Sequence, residues 1–419
     1  MAAFSPLRRG VCRALALAGM LFAASAAFAA DPIKIGFNGS LTGGNAAFGK
    51  ADLLTKQIWA DRVNAKGGLL GRPVQLVFYD DQSQPANIPA IYTKLLDVDK
   101  VDLVLVSGTN FAAAAMPVIT QRNKMVMSLL SLAVNDNFKY PRYFQIMPYG
   151  PNGKEEISRG FFEAAATLDP KPQTLAIAGA DAEFAINAME GARSHARRMG
   201  LKIVYDRTYP PNMVEFSSVI RAIQATNPDL VFIGSYPADT VGIIRAALEG
   251  NLKTRMFGGG MVGTQFAPVK ALFNEGLNGI VNYELYVREP TMKFAGVEEF
   301  VAEYRKRAAV EKVDLLGHCV PPFVYAAMQV IEQAVTGTKS LDDGKLAAYI
   351  HKTKFSTIVG DIAFGPDGEW TEGRILMTQF QNVKGSGLEQ FDKPGTQVIL
   401  YPPQFKSGAL ITPFPPPKK

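Results

Sequence analysis

Short apolar runs alternate with helical patterns along most of the 419-residue chain, and this alternation constrains the fold more than any other feature. Runs this apolar suit strands buried on both faces, and strand–helix alternation is typical of parallel sheets covered by helices. The runs are IKIGF (33–37), VQLVFYDD (74–81), VDLVLVSG (101–108), MVMSLL (125–130), TLAIAGA (174–180), KIVYDRTY (202–209), LVFIGS (230–235), RMFGGG (255–260) and IVNYELY (280–286). The alternation predicts an α/β fold.

The alternation restarts after about residue 150, which predicts two doubly wound parallel-sheet lobes in series. A chain of this length suits two domains of about 150–200 residues better than one core. Ligands of such sheets bind beyond the C-terminal strand ends, against the N-termini of the following helices. We therefore expect a cleft lined by the loops 38–49, 107–112, 130–136, 179–185, 234–239 and 258–265.

The first 29 residues have the layout of a secretory signal peptide. Arg8, Arg9 and Arg13 precede an apolar run over residues 14–24, and Ala27-Phe28-Ala29 fits the A-x-A cleavage pattern. The alternative, a membrane anchor, is disfavoured because the run is too short to span a bilayer comfortably. We expect a mature chain in the periplasm without a membrane span.

Composition argues against several classes of function. The formal charge of +6 includes the three signal arginines, and no basic cluster with interleaved aromatics occurs, so no nucleic-acid partner is indicated. Three scattered histidines, without a C-x-x-C or G-x-S-x-G motif, indicate neither a metal site nor a catalytic nucleophile. Cys319 is the one cysteine after the signal, so no intramolecular disulfide can form. We expect no cofactor, no metal and no enzymatic activity.

Residues 44–51, GNAAFGKA, approach the phosphate-binding pattern G-x-x-x-x-G-K-[ST]. A working P-loop needs a hydroxyl after its lysine to ligate Mg²⁺, and this chain has Ala51 there. The segment is therefore not interpreted as a nucleotide site.

Residues 61–85, DRVNAKGGLLGRPVQLVFYDDQSQP, resemble the periplasmic binding proteins of ABC importers, in the branched-chain amino acid (leucine/isoleucine/valine) family. The asparagine, the double glycine, the G-R-P step and the YDD occur there in the same order, and residues 35–49, IGFNGSLTGGNAAFG, match the family's first loop. The resemblance covers about residues 32–385. It implies a type I fold, a small-molecule ligand, a monomer, and the membrane permease subunits of an ABC importer as partners.

The resemblance also implies a division of the chain into two lobes joined by a three-crossing hinge. The crossings are expected near 147–151, 281–285 and 356–360. The expected segments are a signal peptide (1–29), a first lobe (30–149 and 284–357), a second lobe (150–283 and 358–390) and a proline-rich C-terminal strap (391–419).

By the same resemblance, residues of the first lobe would contact a ligand carboxylate. Phe48 takes the place of an aromatic that lies against the ligand. Asn110 falls at the family's carboxylate-binding serine, with Thr109 and Phe111 beside it, and Ser131 falls at a backbone contact. The alternative interpretation of the aromatics is ordinary core packing, and that of Asn110 and Ser131 is helix capping.

The positions that would hold an α-ammonium depart from the family's pattern. Ala133 replaces a threonine, Phe184 replaces a tyrosine, and the acidic partner falls at Gly260 or Met261, whereas Tyr236 matches. An enclosed ammonium without these partners would cost several kcal/mol. We therefore predict an importer receptor for an aromatic or apolar organic acid. The alternatives are an amino-acid carrier, a sensor that reports to a membrane kinase and an exported hydrolase.

Overall fold

Two α/β lobes make up residues 31–417, the part of the chain that the computed structural model describes. The expected signal peptide, residues 1–29, lies outside the described residues. The strands are β1 Ile33–Gly39, β2 Val74–Asp80, β3 Leu103–Ser107, β4 Val126–Leu129, β5 Tyr143–Gln145, β6 Thr174–Ala180, β7 Lys202–Tyr209, β8 Leu230–Ser235, β9 Met256–Met261, β10 Ile280–Glu284, β11 Phe355–Thr357, β12 Gly360–Ile362, β13 Leu376–Phe380 and β14 Gln397–Tyr401. The α-helices are α1 Ala46–Ala65, α2 Ile88–Thr93, α3 Thr109–Gln121, α4 Asn135–Phe138, α5 Gly153–Ala165, α6 Glu183–Met199, α7 Ser217–Gln224, α8 Pro237–Glu249, α9 Ala267–Phe273, α10 Val297–Glu311, α11 Val320–Thr338 and α12 Asp343–Ile350.

The first lobe is built on a five-stranded parallel sheet in the order β2-β1-β3-β4-β5. Every residue of β3 and β4 is buried, as expected of strands covered by helices on both faces. Helices α10 and α11, from much later in the chain, pack against α1 and complete this lobe. The predicted doubly wound lobe is confirmed.

The second lobe is built on a seven-stranded sheet in the order β14-β13-β10-β9-β8-β6-β7. Strands β6 to β10 are parallel, whereas β13 and β14 are antiparallel to their neighbours. The sequence pattern did not predict these two strands. Strand β14 lies within the expected strap, where its backbone pairs with β13.

The chain passes between the two sheets three times, through residues 146–152, 285–296 and 363–375. The second crossing was expected at 281–285, but those residues are mostly strand β10. The third was expected at 356–360, where the structure has the hairpin of β11 and β12. Both crossings were predicted too early in the chain, because a short strand and a crossing segment have similar sequences when both are apolar.

Arg374 ties the three crossings together. Its backbone N–H donates to the carbonyl oxygen of Pro148 at 2.8 Å, and its guanidinium donates to the carbonyl oxygen of Val359 at 2.6 Å. The guanidinium carbon also lies 4.8 Å from the ring centre of Phe294 and 4.9 Å from that of Trp370. Through its backbone and its side chain, this one residue thus contacts residues in or beside each of the three crossings.

Within residues 31–417, no helix is both long and apolar enough to cross a membrane. The same residues contain no group of His, Cys, Asp and Glu side chains arranged to hold a metal ion.

Candidate functional site

A cavity of about 60 Å³ lies between the lobes, where loops that follow the C-terminal ends of the strands meet. Six of the nine residues predicted from the sequence line it: Phe48, Thr109, Asn110, Phe111, Phe184 and Tyr236. The other lining residues are Asn45, Gly108, Leu130, Tyr149, Pro237, Val262, Phe266 and Tyr283. None of these described lining residues carries a formal charge, so the cavity has aromatic walls with a few neutral polar groups.

The N-terminus of α3 points backbone donors at one end of the cavity. The first three N–H groups of a helix have no acceptor within it, and Ala112 N–H is the first in α3 to bond, to the oxygen of Gly108 at 2.8 Å. Gly108 has φ +95°, and a Cβ there would lie 2.6 Å from the Phe111 ring, so the turn requires glycine. Thr109 fastens this turn to the next loop, since its hydroxyl donates to Leu130 O at 3.0 Å. Free N–H groups and the helix dipole favour an anion here.

Asn110 and Tyr236 join the two lobes across the cavity. The Tyr236 hydroxyl donates to Asn110 Oδ1 at 3.0 Å and accepts from the Phe184 N–H at 3.2 Å. Burial raises the pKa of Tyr236 above its ordinary value, so the hydroxyl keeps its proton. A second bond between the lobes runs from Asn187 Nδ2 to Leu132 O at 3.0 Å. The cleft is therefore closed in this structure.

Tyr236 is held in place by the residues that start α8. Its N–H donates to Asp239 Oδ1 at 2.7 Å, and the Tyr209 hydroxyl donates to Asp239 Oδ2 at 2.6 Å. Asp239 is 4% exposed, and burial raises its pKa to about 6. The ring of Phe184 lies edge-on to that of Tyr236 at 5.8 Å and 6.1 Å from that of Tyr283, so three rings form one wall.

Asn45, at the end of the first loop, and Phe48, in the first turn of α1, line the cavity. Asp81 holds this loop in place through hydrogen bonds. Asp81 is buried, and its carboxylate accepts from Asn38 Nδ2 and Ser40 Oγ, each at 2.7 Å. The loop's serine, asparagine and backbone N–H groups compensate the buried carboxylate. Gly49, from the P-loop-like segment, packs so tightly that a Cβ would lie 2.2 Å from Ser40 O. That glycine permits close packing.

Three predicted residues do not line the cavity. The Ser131 hydroxyl accepts from Ser128 Oγ at 2.6 Å and donates to Leu129 O, which turns it into the first lobe. Ala133 is buried in the hydrophobic core with φ +57°. Met261 lies in the core of the second lobe, and its N–H donates to Asn282 Oδ1 at 2.7 Å.

Sequence reasoning did not select Tyr149, Phe266 and Tyr283 as site residues. Tyr149 lies in the first crossing, Tyr283 is the last residue but one of a buried strand, and each is 1% exposed. Their positions in an apolar strand end and a crossing do not by themselves indicate a cavity. The one available signal was that Tyr149 and Tyr283 fall within the predicted crossings 147–151 and 281–285.

The scan against family models matches residues 32–385 to the model described as periplasmic binding protein. Among relatives, the Leu/Ile/Val-binding protein homolog 7 of Brucella suis is 24% identical over 396 residues, which cover 93% of this chain and 96% of that protein.

Solved structures with the same fold include two solute-binding proteins of ABC transporters. One, from R. palustris in complex with benzoate, has 18% identity and a TM-score of 0.73, covering 90% of this chain and 98% of that one. The other, from Rhodopseudomonas palustris HaA2 in complex with p-hydroxybenzoic acid, has 19% identity and a TM-score of 0.71, covering 85% and 95%. With the two-lobed structure and the match over residues 32–385, these findings establish that the chain belongs to the periplasmic binding protein family with the type I fold, whose members are solute-binding proteins and not enzymes.

Proposed function

We propose that this chain is an exported receptor that captures an aromatic or otherwise apolar organic acid and delivers it to an ABC importer. The observation that carries the proposal is the composition of the cavity wall. Donors from α3 and Asn110 converge at one end, aromatic rings form the sides, and no charged side chain is among the described lining residues. A carboxylate on an apolar body matches this arrangement.

The energetics disfavour a free α-amino acid. An ammonium enclosed in the closed cleft would find no carboxylate in the wall, and burying an unpaired charge costs several kcal/mol. A micromolar complex has only about 8 kcal/mol of binding free energy in total. The unfavourable contribution would therefore remove much of the affinity.

The R. palustris proteins with benzoate and p-hydroxybenzoic acid support this ligand class, because they share the fold of this chain. The second candidate is a carrier of branched-chain amino acids, which the name of the Brucella suis relative favours. The two candidates differ in whether the ligand carries an ammonium group, and binding measurements separate them.

The test compares ligands on protein that was unfolded and refolded to remove any copurified ligand. We expect benzoate to raise the melting temperature more than leucine, isoleucine or valine does. Benzamide, which has the shape of benzoate without its charge, should have a much smaller effect. Stabilisation by leucine with no response to benzoate would contradict the proposal.

The aromatic wall is tested by Phe184→Ala, which should weaken benzoate binding by ~1–3 kcal/mol through lost contact area. Phe273→Ala is the matched control, because Phe273 packs in the second lobe but does not line the cavity. Equal effects of the two substitutions would show that the loss reflects the fold of the lobe.

Export is tested by intact-mass analysis of protein taken from the periplasm, which should begin at Ala30 or Asp31. A mass that includes residues 1–29 would contradict it. Delivery to an importer is tested by uptake of labelled benzoate in cells with and without this chain.

A further inference from the structure

The wall of the cavity nearest the hinge is formed by two tyrosines. Tyr149 lies in the first crossing segment, and Tyr283 lies in β10, one residue before that strand ends at the second crossing. The ring of Phe184 contacts the rings of both Tyr236 and Tyr283. The aromatic wall thus runs from the donors beside Asn110 to the hinge, and the cavity has two different polar ends.

Buried acceptors lie close to these two tyrosines, although they do not line the cavity themselves. Gln265, which is 2% exposed, donates through Nε2 to Tyr283 O at 3.2 Å, while its Oε1 has no hydrogen-bond partner among the described residues. One carboxylate oxygen of Glu284 and both of Glu369 are also buried without a partner in the described part of the chain. A buried acceptor without a donor is costly and rare in folded proteins.

The two tyrosines keep their protons. Burial, with nearby Glu369 and Cys319, raises the pKa of Tyr149, and burial, with nearby Tyr149, Cys319 and Glu284, raises that of Tyr283. Each hydroxyl therefore can both donate and accept a hydrogen bond at neutral pH. A group that enters this end and does both can accept from one tyrosine hydroxyl and donate to the other.

We infer that the ligand is an aromatic acid with a hydroxyl on its ring opposite the carboxylate, and that Tyr149 and Tyr283, which line this end of the cavity, recognise this hydroxyl. The inference rests on the proposed function, since it takes the carboxylate to lie at the α3 end. A phenolic hydroxyl donates and accepts, whereas a methoxy group only accepts and a methyl group does neither. Ring substituents of similar size therefore separate hydrogen bonding from the filling of space.

The experiment measures affinities of refolded full-length mature protein by calorimetry for benzoate and its 4-hydroxy, 4-methyl, 4-methoxy and 4-amino derivatives. We expect 4-hydroxybenzoate to bind at least about tenfold more tightly than benzoate, 4-methylbenzoate and 4-methoxybenzoate, because sites built to bond a hydroxyl reject analogues that lack it. 4-Aminobenzoate tests whether a hydrogen-bond donor at this ring position is sufficient for tight binding. If its affinity equals that of 4-hydroxybenzoate, the assignment of a hydroxyl is overturned.

Tyr149→Phe and Tyr283→Phe each remove one recognising hydroxyl. We expect each to reduce the preference for 4-hydroxybenzoate over benzoate to about threefold or less, and the ratio of the two affinities, measured on the same variant, is the readout. Tyr79→Phe is the control, because its hydroxyl bonds Asp99 at the surface of the first lobe. Melting temperatures of the free variants confirm folding.

The outcomes separate the inference from the proposed function. Tight binding of benzoate with no preference for the 4-hydroxy acid would overturn the inference and leave the proposed function standing. A preference that survives both tyrosine substitutions would also overturn it. Binding of leucine with no response to any benzoate would overturn both.

Discussion

Asn110 connects the proposed ligand site to the closure of the lobes. Its Oδ1 accepts the bond from Tyr236 of the opposite lobe, and its place in the first turn of α3 puts its amide beside the free N–H groups. A ligand carboxylate at this helix start would therefore meet Asn110 directly. The Asn110 side chain would then contact both the ligand and the second lobe.

Asn110→Asp tests this placement, because it keeps the shape of the side chain and adds a negative charge beside the carboxylate. We expect the affinity for benzoate at pH 7 to fall by about 100-fold or more. The melting temperature should hold or rise, because an acidic residue in the first turn favours the helix dipole. Calorimetry and thermal unfolding measure the two effects. Asn187→Asp, at a second hydrogen bond across the cleft, is the control, and an equal loss there would contradict the specific role of Asn110.

Asp239 gives the stability of the second lobe a pH dependence of known sign. Its folded-state pKa is about 6, above the ordinary 3.8, because burial disfavours the charged form. The folded state therefore holds the proton more tightly than the unfolded chain. This contribution to stability is present below about pH 4 and is lost as the pH rises to about 6.

We expect Asp239→Asn to remove this loss of stability with rising pH, because the amide keeps an acceptor for the Tyr236 N–H but cannot ionise. Relative to the original protein, the variant should gain up to about 3 kcal/mol of unfolding free energy between pH 4 and pH 7. Urea unfolding at the two pH values measures the gain. A variant with an unchanged pH dependence would show that Asp239 is hydrated in the folded state.

At the scale of elements, the C-terminal segment is part of the second lobe. Strand β14 extends the sheet, and residues after it return to the body of the lobe, where the Phe414 N–H donates to Thr254 O at 2.8 Å. The Phe414 ring lies 4.7 Å from that of Phe257 and is 1% exposed. Prolines stiffen this segment, so a single buried ring can anchor it at low entropic cost.

Phe414→Ala should therefore destabilise the protein by about 3 kcal/mol or more, as expected for removing a buried phenylalanine. Ile411→Ala in the same segment should change stability by less than about 1 kcal/mol, because Ile411 is 41% exposed. Urea unfolding of both variants tests the contrast. Equal effects would show that the end of the chain is not anchored through Phe414.

At the scale of the whole molecule, the hydrogen bonds across the cleft and the shared cavity couple ligand binding to closure. The ligand must contact loops of both lobes at once, so its binding energy favours the closed arrangement. Arg374 contacts residues in or beside all three crossings and so links the crossings to one another.

Small-angle scattering should therefore show a smaller radius of gyration for stripped protein once benzoate is added.

Tyr236→Phe, which removes one interlobe hydrogen bond, should weaken benzoate binding by about tenfold, in line with the usual net value of such a bond. The liganded variant should still reach the same radius. A radius that does not change with ligand would contradict the closure.

The sequence by itself determined the two-lobed α/β fold and most of its elements. Continuous apolar runs such as TLAIAGA and LVFIGS became strands at those residues, because only burial on both faces suits them. Loops at strand ends supplied most of the predicted site residues, since a parallel sheet brings its C-terminal strand ends together whatever its detailed packing. The fold and the loops depend on local pattern and topology, whereas the individual residues within those loops were implied by the resemblance to the family.

Only the tertiary structure decided which side chains face the cavity and where the chain crosses between lobes. Ser131 and Met261 lie in predicted site loops, yet neighbouring acceptors and donors turn them inward. Tyr149 and Tyr283 are 134 positions apart and meet only because two crossings run side by side at the hinge. Strand β14 exists because the edge of β13 offers it a partner. Each of these outcomes depends on contacts between residues distant in sequence, which no local pattern records.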